Sequence, residues 1–236
     1  MTGRATRISG VVLAAATVAV LGAGCSGSDT AAPADALHPT NVVLSQDDLP
    51  GNLKTVKLDK DTLRQLADQL HDATKKTTVT PANCAGIGSM PDSINPKADG
   101  LMAARNDAVS VSEAVEVAAI VPGGVDLAAA KARVTGACST VKVAVSSGPI
   151  KDAVITIDNT VLNVAQGAAE QVLVVESASR TVRGSKAASE KLLVGRAVVK
   201  GYAITVQMSS LTNSGDLDRQ LFNEVFANAI AKAARP

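Results

Sequence analysis

The residues able to do nucleophilic or metal chemistry are few and lie far apart along the chain. There are three cysteines, Cys25, Cys84 and Cys138, and two histidines, His38 and His71. Hydrolytic catalysis needs a general base beside its nucleophile, and zinc needs histidine and cysteine ligands at short spacing. Neither histidine lies within four residues of a cysteine. The pattern therefore predicts no enzyme, no metal site and no cofactor.

The other polar motifs have structural explanations. His71 falls at the polar edge of a predicted helix and is expected to be solvated. Asp47 and Asp48 lack the alternating oxygen ligands and the sharp-turn glycine of a calcium loop, so they are expected to cap a helix or form an acidic turn. No glycine-rich phosphate loop is present, and Gly195 and Arg196 are predicted to be ordinary strand and turn residues.

The amino-terminal segment has the pattern of an export signal. Arg4 and Arg7 precede an apolar and small-residue stretch over 11–21, and small residues lead from it to Cys25. A positive start, a short apolar stretch and a small-residue exit are typical of a secretory signal. The stretch is shorter than the roughly 20 residues that span a bilayer as a helix. Residues 1–24 are therefore predicted to be a signal peptide.

The run Leu21-Gly22-Ala23-Gly24-Cys25 resembles the bacterial lipobox. This resemblance implies diacylglycerol transfer to the Cys25 thiol, cleavage before Cys25 and acylation of the new amino terminus. Two or three acyl chains bind a membrane stably, so the expected location is the extracytoplasmic face of the cell membrane. Gly22, three residues before the cysteine, stands where a lipobox more commonly has Leu, Val or Ile. The alternative is an ordinary signal peptide followed by an incidental cysteine.

The rest of the chain is predicted to be a tether and a single domain. Residues 25–40 are predicted to be the lipidated Cys25 followed by a flexible tether. Residues 26–37 have no periodic apolar pattern, which favours a tether, and His38 is expected to belong to it. Residues 41–236 are long enough for one domain with a sizeable core.

Composition excludes several partners. Without residues 1–24, which hold two of the 23 basic residues, 21 basic residues face 22 acidic ones. Nucleic-acid binding needs a basic face, so no nucleic-acid partner is expected. With no Trp, one Tyr and two Phe, the chain has almost no rings for stacking on sugars or bases.

With Cys25 lipidated, Cys84 and Cys138 remain, and an exported compartment permits them to form a disulfide. Two free thiols are the alternative. The predicted bond would close a loop for which chain entropy gives about 4 kcal/mol.

Hydrophobic periodicity predicts an α+β fold: an antiparallel sheet with helices packed on it, one disulfide and a C-terminal helix. Strands are predicted over 52–58, 101–107, 113–121, 140–146, 153–158, 171–178, 192–199 and 202–209. Residues 161–165 are predicted to continue the strand 153–158, and Thr181 and Val182 to extend the strand 171–178. Helices are predicted over 59–76, 127–137 and 216–234, the last two capped by Asp126 and Asp216. Prolines and glycines predict a loop over 77–100, and Gly201 predicts a tight turn.

Three features occur together: the loop Pro81-Ala82-Asn83-Cys84-Ala85-Gly86, the strand 115–121, and the order helix 126–137, Cys138, strand 140–145. In these features the chain resembles the extracellular sensor domain of the mycobacterial PknH-type receptor Ser/Thr kinase and related actinobacterial lipoproteins. It covers roughly residues 42–234. The family's Trp before the helix-end cysteine and its second cysteine pair are absent here. The resemblance implies a concave sheet with a cleft for an envelope ligand, and no catalytic residues.

Three functions follow as hypotheses. The first is a non-enzymatic ligand-binding or sensor-like lipoprotein, with an envelope protein or cell-wall component as its partner. The second is a lipid carrier whose aliphatic strands 171–178, 192–199 and 202–209 line an apolar cavity. The third is an enzyme, which would require close carboxylates or a serine beside His71.

Overall fold

A computed structural model describes residues 38–50, 53–58, 77–85, 98–106, 111–120, 125–148, 150–210 and 217–235. Several predictions fall outside these ranges. They are the signal peptide, Cys25, the tether over 26–37, the helix over 59–76 with His71, and the cap at Asp216.

The described residues form nine strands in one antiparallel sheet, in the order β1-β3-β4-β9-β8-β7-β6-β5-β2. In chain order the strands are β1 Lys54–Leu58, β2 Thr77–Thr80, β3 Ala98–Asn106, β4 Val111–Ile120, β5 Thr140–Val145, β6 Val154–Leu162, β7 Gln171–Arg183, β8 Lys186–Val199 and β9 Tyr202–Ser210. Two helices accompany them, α1 Leu127–Ala132 and α2 Arg219–Ala233. The predicted α+β class, with a C-terminal helix, is confirmed.

Two tight turns set the register at the centre of the sheet. Lys200 and Gly201 both have positive φ, at 48° and 83°, between the paired residues Val199 and Tyr202. Such a two-residue turn matches the twist of antiparallel strands. Gly184, with φ 58°, opens the turn between β7 and β8. These turns make β7, β8 and β9 a continuous antiparallel meander.

The main core lies between α2 and one face of the sheet. The helix buries seven apolar side chains at helical spacing against this face: Leu221, Phe222, Val225, Phe226, Ala229, Ile230 and Ala233. The sheet contributes alternate residues of β8 and β9, as expected for a strand with one side turned to the helix. Arg219 Nε donates to Glu176 Oε2 at 2.9 Å, which joins the start of α2 to β7.

A smaller core lies on the opposite face of the sheet, under α1. Leu127, Ala130 and Val134 pack there against the sheet residues Leu173, Val175 and Val198. Because α1 has only six residues, it covers a limited part of this face.

Residues 38–50 form an N-terminal segment that packs beside α2. Val42 and Leu44 are buried in the main core. The backbone N–H of His38 donates to the Tyr202 hydroxyl at 3.2 Å. Asp48 contacts α2 through its backbone carbonyl and its carboxylate, so this segment is fixed to the last helix of the domain.

The structure corrects several predicted boundaries. Residues 77–100 are not a single loop, because Thr77–Thr80 is a strand paired with β5 and β3 begins at Ala98. The β-branched run Thr-Thr-Val-Thr explains the strand, while the prolines and glycines that suggested a loop come later. The predicted pieces 153–158 and 161–165 belong largely to one strand, Val154–Leu162.

The helices also differ from prediction at their ends. The helix predicted over 127–137 ends at Ala132, and Thr135 Oγ1 donates to the Lys131 carbonyl at 3.0 Å, a local bond that competes with further helix. Asp126 caps it as predicted, accepting from Ala129 N at 2.9 Å. The terminal helix is capped by Asp218, whose carboxylate accepts from Leu221 N at 2.9 Å.

Candidate ligand-binding face

The candidate site is the sheet face opposite α2, on β6, β7, β8 and β9, called here the Arg196 face. Gly195 lies under α2, where an added Cβ would meet Phe222 and Phe226. Successive side chains on a strand point to opposite faces, so Arg196 points away from α2. Val198, two residues on, packs under α1 and confirms the assignment.

Two buried polar side chains lie on this face. Ser177 on β7 and Arg196 on β8 are each 6% exposed. Because burying polar groups costs free energy unless they are hydrogen-bonded, their placement on one face marks a specialised surface.

Ser177 belongs to a short hydrogen-bonded chain that leads to the disulfide. Its hydroxyl donates to Asn159 Oδ1 at 2.7 Å. Asn159 Nδ2 donates to the Cys138 carbonyl at 3.3 Å, and its backbone N–H donates to the Ser139 carbonyl at 2.6 Å. The polar part of the face is thus connected to the loop that carries Cys138.

Arg196 places a positive charge among aliphatic residues. It pairs with Leu173 on β7 and Thr205 on β9. Burial lowers the pKa of Arg196 to about 10, so the guanidinium still carries its proton near neutral pH. A guanidinium offers a planar set of N–H donors that fits carboxylate and phosphate groups. Half-buried Thr205 and Gln207 give this part of the face further polar character.

The predicted disulfide is confirmed. Cys84 and Cys138 are bonded, with their Cα atoms 5.6 Å apart and a sequence separation of 54. Both are buried and form a small cluster with Val141. Cys84 follows β2 and Cys138 precedes β5, the strand that pairs with β2. The bond therefore secures one end of the sheet.

Asp47 and Asp48 lie in a 3-10 helix, Gln46–Asp48, as the capping prediction requires. Ser45 donates to Asp48 Oδ2 from its backbone and its hydroxyl, at 2.8 and 2.6 Å, and Lys232 Nζ lies 2.6 Å from the same oxygen. Burial would raise the pKa of Asp48, but the bonds from Lys232 and Ser45 outweigh it and lower the pKa to about 2. Asp48 therefore has a structural role at α2.

In the described ranges, no group of three His, Cys, Asp or Glu side chains is close enough to hold a metal ion. His38 is exposed at the start of the N-terminal segment. Within the same ranges, no helix combines the length and apolarity needed to cross a bilayer.

Arg196 is the site residue that sequence reasoning missed. It was predicted to be an ordinary strand residue. The available signal was its place inside the run Leu192–Val199, which is apolar on both sides of the arginine. Such continuous apolar runs are typical of strands covered on both faces, so a charge within one is a buried charge.

Comparison with known proteins gives one distant structural relative. The crystal structure of an uncharacterized Mycobacterium smegmatis protein, the Rv0999 ortholog, is similar with a TM-score of 0.48 and 16% identity. The match covers 80% of this chain and 93% of that chain. A similarity at this level supports no argument about function, and the resemblance to the PknH-type sensor domain stays a prediction.

No protein-family profile matches the sequence. Comparison with curated proteins also gives no match.

Proposed function

We propose that this chain is a lipoprotein of the extracytoplasmic membrane face, anchored through Cys25, whose domain binds a ligand without catalysing a reaction. The Arg196 face is the proposed binding surface, and the ligand carries a carboxylate or phosphate group. The observation that carries the binding proposal is the buried positive charge of Arg196 on a sheet face that also holds Ser177.

The disulfide supports the extracytoplasmic location. Disulfides persist in oxidising compartments and are rare where glutathione and thioredoxin keep thiols reduced. The bond between Cys84 and Cys138 agrees with an exported domain that follows a signal peptide. The acyl anchor on Cys25 rests on the lipobox-like run alone.

The packing under α2 weighs against the lipid-carrier alternative on that side of the sheet. The aliphatic residues of β8 and β9 meet Phe222 and Phe226, which approach Gly195 so closely that an added Cβ would lie 2.9 Å from each ring. Those strands fill a core with α2. A carrier would need its acyl cavity on the Arg196 face.

The anchor is tested by replacing Cys25 with alanine in the full chain. Because the acyl chains are attached to this residue, the variant is expected to leave the membrane fraction, while the parent chain stays in it. Cys84→Ala is the matched control, since it removes a cysteine that carries no lipid and should leave the protein membrane-bound. An acylated, membrane-bound Cys25→Ala variant would show that the lipobox assignment is wrong.

The binding surface is tested by native mass spectrometry of the chain exported from an actinobacterial host. An acidic adduct is expected on the parent chain and should be lost in Arg196→Gln, because glutamine keeps hydrogen-bonding capacity without the charge. Arg180→Gln, at an exposed position on β7, is the control and should retain the adduct.

Two results would redirect the assignment. An adduct in the lipid mass range that survives Arg196→Gln would favour the carrier. Equal adduct loss in both arginine variants would refute a specific role for Arg196.

A further inference from the structure

The sheet face that carries α2 continues beyond the start of that helix. Val174 on β7 lies in the main core, and Glu176, two residues further on, accepts from Arg219 at the start of α2. Arg180 lies four residues beyond Glu176, about 13 Å along the strand, and points to the same face because side chains alternate. It is exposed, as is Val154 on β6, at 44%. Solvent therefore reaches this part of the face.

Five strands place polar side chains in one row across this exposed part. Directly paired residues of neighbouring strands point to the same face, and the pairing runs from β2 through β5, β6 and β7 to β8. The members of this row, called here the basic row, are Thr80, Lys142, Thr156, Arg180 and Ser189. Thr156 is half-buried and the other four are exposed. The basic row thus alternates hydroxyl groups with cations.

Positive charge is concentrated at this row. Lys142 and Arg180 lie on β5 and β7, two strand spacings or about 10 Å apart. The adjacent row on the same face adds Lys191 on β8 and Asp158 on β6, whose carboxylate accepts from the Thr140 hydroxyl at 2.6 Å. Among the described residues of these two rows, three cations therefore accompany one carboxylate. Since the whole chain has 23 basic and 22 acidic residues, this is a local excess.

We propose that the basic row binds an anionic polysaccharide. The two cations pair with acidic groups of the polymer, and the hydroxyls of Thr80, Thr156 and Ser189 hydrogen-bond to the sugar hydroxyls between those groups. Charge complementarity selects an anion, and the alternation of cations with hydroxyls favours a sugar chain. The basic row lies on the opposite side of the sheet from the Arg196 face, so the two surfaces can bind independently.

The shape of this side of the domain favours a chain molecule over a lipid surface. α2 is about 10 Å thick and projects from the same face of the sheet. A flat membrane that meets α2 is held away from the basic row, whereas a polysaccharide chain can lie across the strands.

The basic row is also remote from the start of the described chain. His38 bonds to Tyr202, which pairs with Val199 at one end of β8. Ser189 lies ten residues from Val199, about 33 Å along that strand. A chain anchored through its N-terminal side therefore carries the basic row at the far end of its sheet.

The test is a titration of the full chain, held in neutral detergent micelles, with polygalacturonate at low salt. Because the contacts are exposed ion pairs, Lys142→Gln combined with Arg180→Gln should raise the Kd roughly ten-fold. The matched control is Lys131→Gln combined with Arg133→Gln, which removes the same charge from exposed positions at α1, on the opposite face. It should change the Kd less than two-fold. Equal weakening in the two double variants would overturn the proposal.

Two further measurements separate this recognition from misfolding and from charge alone. The Kd of the parent chain should rise steeply with salt, and that dependence should be shallower in the Lys142→Gln, Arg180→Gln variant, a change that a merely structural role does not produce. Thr156→Val removes a hydroxyl at nearly constant volume and should raise the Kd a few-fold. An unchanged Kd in Thr156→Val, or equal affinity for the neutral polymer dextran, would refute the polysaccharide assignment.

A lipid surface is tested with the full-length Cys25→Ala chain, which lacks the proposed anchor. This chain should not float with phosphatidylglycerol vesicles. Flotation that is abolished by Lys142→Gln and Arg180→Gln would assign the basic row to a membrane and overturn the proposal. Arg196→Gln should leave polygalacturonate binding unchanged, so binding at the basic row and binding at the Arg196 face can fail separately.

Discussion

The contact between β8 and α2 at Gly195 allows a prediction of how Gly195→Ala changes stability. A favourable backbone effect and an unfavourable steric effect compete, and their sizes decide the sign of the change. In most strands, glycine to alanine adds about 0.5–1 kcal/mol of stability, because glycine loses more backbone freedom on folding. Here the new Cβ would lie 2.9 Å from Phe222 Cζ and 2.9 Å from Phe226 Cε2, closer than carbon atoms normally approach. Both rings are almost fully buried, at 1% and 3% exposure, so they have little room to move.

Overpacking of this kind costs about 1–3 kcal/mol and outweighs the backbone gain. We therefore expect Gly195→Ala to lower the free energy of unfolding by roughly 0.5–2 kcal/mol, or the Tm by roughly 2–4 °C per kcal/mol for a domain of this size. Urea denaturation followed by circular dichroism measures the first quantity, and a thermal scan measures the second.

Two controls isolate the steric cause. Ala187→Gly, at an exposed position of the same strand, measures the backbone contribution without a core contact. Phe226→Leu removes ring atoms from the contact, so Gly195→Ala should cost less in that background than in the parent. A Gly195→Ala variant as stable as the parent would refute the argument that β8 and α2 are in direct contact here.

The remaining predictions concern the disulfide and Asp48. Replacing Cys84 and Cys138 together by alanine should lower the free energy of unfolding by about 4 kcal/mol, since the chain-entropy model assigns that value to a loop closed by cysteines with a sequence separation of 54. Urea denaturation measures this free energy, and an unchanged midpoint would contradict the prediction. Asp48→Asn should cost roughly 2 kcal/mol at pH 7, because the pKa of Asp48 is lowered from 3.8 to about 2 in the folded state. A lowered pKa stabilises the fold above the unfolded value, so the difference between parent and variant should shrink from about pH 4 and vanish below about pH 2, and a constant difference would exclude the ion pair with Lys232.

The sequence predicts the sheet better than the site, for a physical reason. Strands such as 202–209 and the apolar stripe of α2 follow from local periodicity, and the structure places them as expected. The sequence predicts an extension of β7 at Thr181 and Val182 but misses the first part of β8, Lys186 to Lys191, because that stretch has polar and small residues without strand periodicity and only pairing with β7 makes it a strand. Such pairing is a contact between two segments, which the periodicity of either segment alone does not reveal.

The site depends even more on tertiary context. Cys84 and Cys138 could be paired by counting, whereas the polar chain from Ser177 through Asn159 to Cys138 joins three separate parts of the sequence. The burial of Arg196 likewise depends on residues that are distant from it in sequence. No local motif encodes either arrangement.

The attachment of the N-terminal segment to α2 affects the order in which the domain can be completed during synthesis. Asn228 and Lys232 bind Asp48 across sequence separations of 180 and 184 residues. A chain that emerges from a ribosome with its N-terminus first therefore presents residues 38–50 long before their partners exist. Until α2 arrives, Val42 and Leu44 lack the core that buries them. The earliest part of the domain to emerge is thus among the last to reach its final contacts.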